Sequence, residues 1–444
     1  MGRVRRNVRT AAAATGAAAL LLAAHPPGAA WAAPAAPEPV PSYRAADGAK
    51  QVRGGSSTAD APPLEVGGLH ADTVSSGDRY YRLVLRKDGS NVYVSAVARP
   101  GADARVSHSD GIAVQVMTTE GRACPGNPGR ADFGYDPVPI SAVGIRWGAE
   151  DAVCAPAGVY YVKVTRTSAA GSDQRPWPLE LRVQREPAHG PGTPTSAPSG
   201  RPSEAPVLPG TEPAGRAGGT GFNDARALGA GVFRDGLRPG QTRFYRVPLD
   251  WGQQLGVGAE LAAARMTKAS GSAAGGLSVS LYNPYRQLVA AKDASYDGEQ
   301  AGVTLGRTVA VAYGNRYASE RTVHSVALAG WYYLAVTMGG KVGEFTEDAQ
   351  PVPLTLRVDL AGGAVAAPAY QEGLAAGGFG VGAADRAAAR EGLTAPEAAD
   401  AAENRSAMRV VAAAGFGTGT LLLAGLGGWI LRARRGRPRP VTSG

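Results

Sequence analysis

Two loops of this 444-residue chain carry carboxylates close enough in sequence to share a cation. Asp132 and Asp136 lie in DFGYDP, whereas Asp293, Asp297 and Glu299 lie in KDASYDGE. Carboxylate oxygens on loops are ligands that calcium prefers. Neither loop has the EF-hand spacing, and Asp-Gly is also common in hairpin turns. We therefore interpret both loops as turns, keep calcium as the alternative, and expect no other cofactor.

Residues suited to catalysis are few and scattered. His70, His108 and His324 lie in segments that should fold, but the sequence contains no HExxH, no Cys–His cluster with zinc spacing, no Gly-x-Ser-x-Gly and no P-loop. A Ser–His–Asp site assembled from distant positions would leave no local signature. The sequence therefore favours a protein that is not an enzyme.

Aromatic side chains are in surplus in the second half of the chain. Exposed rings there would stack on sugars or anchor a protein partner. The candidate contact surface consists of Tyr282, Tyr285, Tyr296, Tyr313, Tyr317 and Trp331. The alternative is core packing, which would claim half or more of these rings. We expect the contact region within residues 285–323.

Four sequence blocks occur twice in the same order, which indicates an internal duplication. The four pairs are GDRYYRLVL (77–85) with TRFYRVPL (242–249), VQVMTTEGR (114–122) with VSLYNPYRQ (279–287), AGVYYVKVTR (157–166) with AGWYYLAVTM (329–338), and PLELRV (178–183) with PLTLRV (353–358). The loops between the blocks are longer in the second copy. Each copy should therefore fold as one module.

The repeated blocks are predicted β-strands because apolar and polar residues alternate along them. In PLELRV, for example, Leu and Val alternate with Glu180 and Arg182. Neither copy contains a comparable amphipathic helix. We therefore predict an all-β fold, with two antiparallel, jelly-roll-like β-sandwiches at residues 64–184 and 220–360.

These motifs resemble the bacterial pre-peptidase C-terminal domain. The resemblance rests on a strand ending in Tyr-Arg, a strand of the type VxLYNPYR, the AGxYYxxV block and a final PLxLRV strand. It implies a compact β-sandwich of the kind appended to secreted proteases. Asp78 stands near the family's usual strand aspartate, Thr242 replaces it in the second copy, and no protease domain accompanies the modules.

The two ends of the chain predict export and anchoring. Residues 1–32 have the basic start, apolar run and Ala-x-Ala site of a signal peptide. Residues 410–431 are uncharged, and at about 1.5 Å per residue they reach roughly 33 Å, which is enough to cross a bilayer core. The predicted membrane anchor is formed by Trp429, Arg432, Arg434 and Arg435. Gly415 and Gly419 have a spacing that pairs membrane helices, so a homodimer is an alternative to a monomer.

Export also predicts the state of the two cysteines. Cys124 and Cys154 should form one disulfide in an oxidising compartment. Closing a loop of about 30 residues would stabilise the module by roughly 3 kcal/mol in the chain-entropy model. A redox role is disfavoured because the pair lacks C-x-x-C spacing.

Low-complexity segments and charge complete the organisation. Residues 33–63 are predicted to be disordered, 185–219 to be a Pro/Gly/Ser-rich linker and 361–408 to be an Ala/Gly-rich stalk. The tail, 432–444, should be cytoplasmic.

Nine of the 46 basic residues lie at the two ends, and the other 37 balance the 37 acidic ones. The neutral body excludes a basic footprint for nucleic acid.

We therefore predict a non-enzymatic, single-pass protein of the bacterial cell membrane, with its N-terminus outside and its C-terminus inside. Its tandem sandwiches should bind an extracytoplasmic protein partner or serve as an accessory subunit. The alternative is a pair of modules that bind cell-wall glycan, and the second alternative is a protease-associated or hydrolytic enzyme.

Overall fold

The computed structural model describes most of the chain from Tyr43 to Arg435. The described residues are 43, 45–87, 89–101, 103–125, 129–134, 136–148, 153–198, 206–207, 209–347 and 350–435, with the side chains of 407, 409–419 and 433–435 left out. The predicted signal peptide and the start of the segment after it lie outside the described residues, as does the tail beyond Arg435. Both modules belong to one compact unit.

The first module contains ten strands. They are β1 (Lys50–Gln51), β2 (Pro63–Leu64), β3 (Leu69–Val74), β4 (Gly77–Leu85), β5 (Asn91–Ala98), β6 (Gly111–Thr118), β7 (Gly129–Asp132), β8 (Ile140–Arg146), β9 (Gly158–Thr167) and β10 (Trp177–Glu186). One sheet has the order β1-β3-β10-β5-β8, and the other has the order β2-β4-β9-β6-β7. The apolar inner faces of the two sheets enclose the core.

The second module repeats this arrangement strand for strand. Its strands are β11 (Ala214–Gly215), β12 (Arg226–Ala227), β13 (Gly231–Leu237), β14 (Thr242–Leu249), β15 (Gln254–Leu261), β16 (Ala273–Tyr282), β17 (Leu288–Tyr296), β18 (Ala301–Leu305), β19 (Gly330–Met338) and β20 (Val352–Ala361). The sheet orders are β11-β13-β20-β15-β18 and β12-β14-β19-β16-β17. Every strand thus has its counterpart ten strands later.

The sequence predicted antiparallel sheets, but each of the four sheets contains one parallel strand pair. β1 pairs with β3, β2 with β4, β11 with β13 and β12 with β14 in parallel. Each of these edge strands is two residues long, too short for any alternation of polar and apolar residues to be visible. The remaining strand pairs within the described sheets are antiparallel.

A glycine pair fixes the same corner in both modules. In module 1 the Gly54 amide and the Tyr81 hydroxyl both donate to Asp72, each at 2.7 Å. A Cβ on Gly54 would lie 2.8 Å from the Tyr81 ring, so only glycine fits. Module 2 repeats the hydrogen bond from Tyr245 to Asp235 at 2.6 Å. The glycine pair opens the motif GG-x-x-x-x-D, which occurs at 54–60 and again at 218–224 and whose aspartates accept hydrogen bonds from the amides of Ser56 and Thr220.

The two modules pack sheet against sheet through a buried polar interface. Two ion pairs cross it, Glu180 with Arg286 at 2.5 Å and Glu186 with Arg316 at 2.7 Å, and all four side chains are 1% exposed. The Tyr93 ring of module 1 stacks on Tyr285 of module 2, with ring centres 4.0 Å apart. The linker therefore joins modules that are held together directly.

The residues after β20 continue along this double module. Tyr370 donates to Glu186 at 2.8 Å, and the Phe379 ring packs edge-on against Tyr93. Helix α1 (Arg321–His324) precedes β19, whereas helix α2 (Ala383–Glu391) follows β20 and lies against β12 and β14. The first half of the predicted stalk thus packs on the folded modules.

Helix α3 (Ala395–Arg435) is 41 residues long and contains the predicted membrane span. Among the residues with described side chains, no helix is both long enough and apolar enough to cross a membrane. The side chains of residues 409–419, at the start of that span, lie outside the described set, and Gly415 and Gly419 are among them.

Candidate functional site

An apolar face is open to solvent on the outer side of module 1. Three valines are exposed there, where polar side chains would be expected: Val66 by 40%, Val84 by 46% and Val159 by 39%. Val84 and Val159 are directly opposite each other on β4 and β9. Beside them is a groove of about 400 Å³, lined by Pro63, Leu64, Glu65, Val66, Val84, Leu85, Arg86, Lys87, Ser90 and Arg185. We call these valines and this groove the open face.

The same face of module 2 is covered. Pro248 and Trp331 are opposite each other there, where module 1 has Val84 and Val159. The Trp331 Nε1 donates to Asp385 of α2 at 3.0 Å, and the Arg246 guanidinium lies 4.1 Å from the centre of the Trp331 ring. Duplicated modules therefore differ in whether this face has a covering element.

Charges border the open face unevenly. Glu65 pairs with Lys50 at 2.5 Å, and Glu372 pairs with both Lys87 and Arg185. Arg82 and Arg86 are exposed, and within the described residues neither forms an ion pair or a side-chain hydrogen bond. The uncompensated charge at this face is therefore positive.

A second candidate site is a cleft where the two modules meet. It measures about 410 Å³ and is lined by Trp147 and Gln115 of module 1 and by Gln287, Arg321 and His324 of module 2. The Trp147 and His324 rings meet edge to face, 6.0 Å between centres. The Gln287 Oε1 is buried and has no hydrogen-bond partner within the described residues. An aromatic ring beside planar polar groups is a combination suited to a small polar ligand.

The ion pairs between the modules fix the relative position of the open face and the cleft. Burial by itself raises the pKa of Glu186, but Arg316 and hydrogen bonds from Tyr93 and Asn91 outweigh it and lower that pKa. Burial likewise opposes ionisation of Glu180, and the nearby Arg286 guanidinium reverses the effect, so the pKa of Glu180 is also lowered. Both carboxylates are therefore charged at neutral pH.

The predicted aromatic contact surface is not a surface. Tyr282, Tyr285, Tyr296 and Tyr313 are buried, and Tyr317 and Trp331 are half-buried. Tyr285 and Tyr313 lie at the junction of the modules, and Tyr296 donates to the Ala262 carbonyl at 2.6 Å. Three different contacts remove these rings from the surface: module 1 covers Tyr285, helix α2 covers Trp331, and Tyr296 packs in the core of module 2. Of the predicted contact region 285–323, Gln287, Ala318, Ser319 and Arg321 line the cleft.

The predicted calcium ligands do not converge. Asp132 pairs with Arg130, and the Gly340 amide donates to Asp136 at 3.0 Å across the module boundary. Burial raises the pKa of Asp136. Asp293, Asp297 and Glu299 are exposed. In the described part of the chain, no group of three or more His, Cys, Asp or Glu side chains could hold a metal ion.

The histidines are separated as well. His70 is buried and its Nε2 accepts a hydrogen bond from the Glu65 amide, whereas His108 is exposed on a loop. The Nδ1 of His324 donates to the Arg316 carbonyl, 3.0 Å away, and His324 borders the cleft. These three positions are brought together at no shared site within the described residues.

The disulfide prediction is confirmed: Cys124 and Cys154 are bonded, with an S–S distance of 2.07 Å. Cys124 also lines the cleft. Of the predicted membrane anchor, Trp429 and Arg432 are exposed on α3, and the side chains of Arg434 and Arg435 lie outside the described set.

No protein-family model and no curated protein matches this chain. Among solved structures, the N-terminal tandem CBM22 domain of Paenibacillus barcinonensis Xyn10C is 12% identical, with 67% of this chain and 92% of that chain covered and a TM-score of 0.18. The ANX1 ectodomain of Arabidopsis thaliana is 9% identical, with 67% and 89% covered and a TM-score of 0.17. The CUB1-EGF-CUB2 segment of human MASP-1/3 is 7% identical, with 65% and 99% covered and a TM-score of 0.16. Likenesses at such scores carry no argument about function, and membership of the pre-peptidase C-terminal family stays a prediction.

Proposed function

We propose that the chain is a non-enzymatic cell-surface protein that binds a protein partner through the open face of module 1. The observation that carries the proposal is the contrast between the duplicated modules. Val84 and Val159 are exposed, whereas Pro248 and Trp331 at the equivalent positions lie beneath a helix of the same chain. Contiguous exposed apolar side chains on a soluble domain are typical of interaction sites.

The chemistry of the open face favours a protein over a glycan. Sugars bind to exposed aromatic rings, but the described residues that line the groove include no aromatic side chain, and four of the six rings predicted to form a contact surface are buried. Aliphatic side chains in a groove bordered by arginines suit the apolar anchors and acidic rim of a protein partner.

The rigid junction between the modules supports a binding role as well. Glu180–Arg286 and Glu186–Arg316 hold the two sandwiches in one orientation. A partner that binds module 1 therefore meets a preorganised surface, which lowers the entropy cost of association.

The test is quantitative co-purification of the protein from its native host under mild detergent. Val84→Asp places a charge in the centre of the open face and should reduce the recovered partner at least tenfold. Val207→Asp changes an exposed valine whose neighbour Pro206 lies against Gly256 of module 2, and it is the matched control. Equal recovery of the same proteins with Val84→Asp, Val207→Asp and the unaltered chain would refute the proposal.

Attachment to the cell membrane is part of the proposal. It is supported by the exposed leucines of α3, Leu421, Leu422 and Leu423, which no other part of the described chain covers. Removal of residues from 409 onward should move the protein from the alkaline-carbonate-resistant membrane fraction to the soluble fraction. Retention of the truncated protein in the membrane would contradict this assignment.

A second candidate function, binding of a cell-wall glycan, is favoured by the cleft between the modules. Trp147, Arg321 and the Oε1 of Gln287, which has no partner among the described residues, supply a ring, a cation and an acceptor around a space large enough for one or two sugar units. The test is co-sedimentation with protein-free cell walls. Saturable binding that Trp147→Ala weakens would place this function first, and absence of binding by the folded protein would exclude it.

A further inference from the structure

Helix α2 covers the face of module 2 that is equivalent to the open face. The paired strands β4–β9 and β14–β19 have the same register, so Arg82 corresponds to Arg246 and Val84 to Pro248. The parallel edge strands place Pro63 opposite Arg82 and Ala227 opposite Arg246, so these two residues also correspond. The groove of the open face therefore corresponds to the surface of module 2 on which α2 lies.

Helix α2 contacts that surface with small side chains, with its C-terminal end and with one charge. Its buried residues are Ala388 and Ala389. Just beyond its end, the Leu393 carbonyl accepts hydrogen bonds from the Ala227 amide at 3.2 Å and from Arg246 at 3.3 Å. On the exposed side, Arg386 pairs with Asp250 at 2.5 Å.

Module 1 keeps most of these features and inverts the charge. Arg82 occupies the position of Arg246, which donates to the carbonyl at the end of α2. Val66 and Val84 form an exposed apolar surface in the groove. The residue that follows β14 is Asp250, but the residue that follows β4 is Arg86. Arg86 lines the groove, is exposed and has no ion-pair partner in the described chain.

We infer that the groove of module 1 receives a short helix of the protein partner. This helix presents small side chains to Val66 and Val84, and it carries an acidic residue where α2 carries Arg386. The inference rests on the proposed function and specifies the partner's binding element. Helix-in-groove recognition of this kind uses the apolar face of an amphipathic helix.

The inverted charge also excludes one occupant. The α2 helix of a second copy of this chain would bring Arg386 against Arg86, and like charges in contact disfavour binding. The α2 helix of the same copy is already held on module 2 by Trp331, Arg246 and Asp250. Arg86 thus selects a partner helix over the protein's own.

The experiment uses two synthetic peptides that span residues 381–398. Both are stapled between positions 383 and 390, which are exposed in the docked helix, so that the peptide is helical before it binds. One keeps Arg386 and the other carries Arg386→Glu. Fluorescence anisotropy measures their binding to the full-length protein in detergent.

We expect the Arg386→Glu peptide to bind about fivefold or more tightly than the Arg386 peptide, a modest ratio because exposed charge pairs are weak. Arg86→Asp in the protein should invert the order of the two peptides. Val84→Asp should weaken both at least tenfold, and Val207→Asp should weaken neither. Unchanged urea midpoints of the variants establish that they are folded.

The inference is overturned if neither peptide binds, if Val84→Asp leaves both affinities unchanged, or if Arg86→Asp does not change the order of the peptides. These outcomes differ from a failure of the proposed function. If co-purification depends on Val84 but the peptides do not bind, the partner uses another element and the proposed function stands. If no partner is recovered at all, the proposed function fails whatever the peptides do.

Discussion

Replacing Glu186 by Gln tests whether its buried ion pair with Arg316 locks the two modules together. Glu186 accepts hydrogen bonds from Asn91 at 2.8 Å, Tyr93 at 2.6 Å and Tyr370 at 2.8 Å, besides its ion pair with Arg316. The amide removes the negative charge and leaves the guanidinium of Arg316 buried without a counter-ion. Breaking one side of a buried pair costs about 3–5 kcal/mol, which is a large part of the stability of an ordinary domain.

Urea unfolding followed by tryptophan fluorescence measures this loss, because module 1 contains Trp147 and Trp177 and module 2 contains Trp251 and Trp331. Arg316→Met provides the second edge of a double-mutant cycle, in which we expect the two changes to couple by about 2 kcal/mol. Glu372→Gln, at an exposed ion pair, is the control and should leave the midpoint nearly unchanged. A loss below about 1 kcal/mol for Glu186→Gln, or strict additivity with Arg316→Met, would refute a buried ionic lock.

Three further predictions concern stability. The Cys124–Cys154 disulfide links residues 30 positions apart, and its reduction should lower the free energy of unfolding by about 3 kcal/mol. Urea titrations with and without reductant measure this difference. No change would show that the bond does not constrain the unfolded chain. The lowered pKa values of Glu180 and Glu186 stabilise the fold above their ordinary value of 4.5, and this stability is lost as the pH falls through the lower folded values. Acid titration of unfolding should therefore show a smaller decline in the double Gln variant than in the unaltered chain, and an equal decline would contradict this. Gly54→Ala would place a methyl group 2.8 Å from the tyrosine ring it faces and should cost about 1–3 kcal/mol in the same assay, whereas a neutral effect would show that the ring moves freely.

The sequence predicted the duplication and the long strands because these depend on local patterns. Alternation along PLELRV and PLTLRV corresponds to β10 and β20, and the AG-x-YY blocks correspond to β9 and β19. The two-residue parallel strands at the sheet edges have no such pattern. The repeated GG-x-x-x-x-D motif does not by itself predict a corner, because glycine pairs are ordinary in a chain with 62 Gly.

The candidate site could not be predicted because it depends on which outer faces are covered. Tyr161 and Tyr333 occupy equivalent positions, yet Tyr161 is half-buried and Tyr333 is buried, because module 1 packs on the sheet that carries Tyr333. Val84 lies at an outward position between Leu83 and Leu85 and gives no local sign of its exposure. Burial of outward residues is a property of the assembled double module.

Site-specific photo-cross-linking tests the central claim most directly. A benzophenone amino acid at position 84, in the full-length protein expressed in its native host, should yield one dominant adduct whose cross-linked partner residue lies on a helix with small side chains on one face. The same amino acid at position 207 should not yield that adduct. If position 84 gives only the uncross-linked protein, lipid adducts or an adduct with a second copy of the chain, the open face does not bind a protein partner.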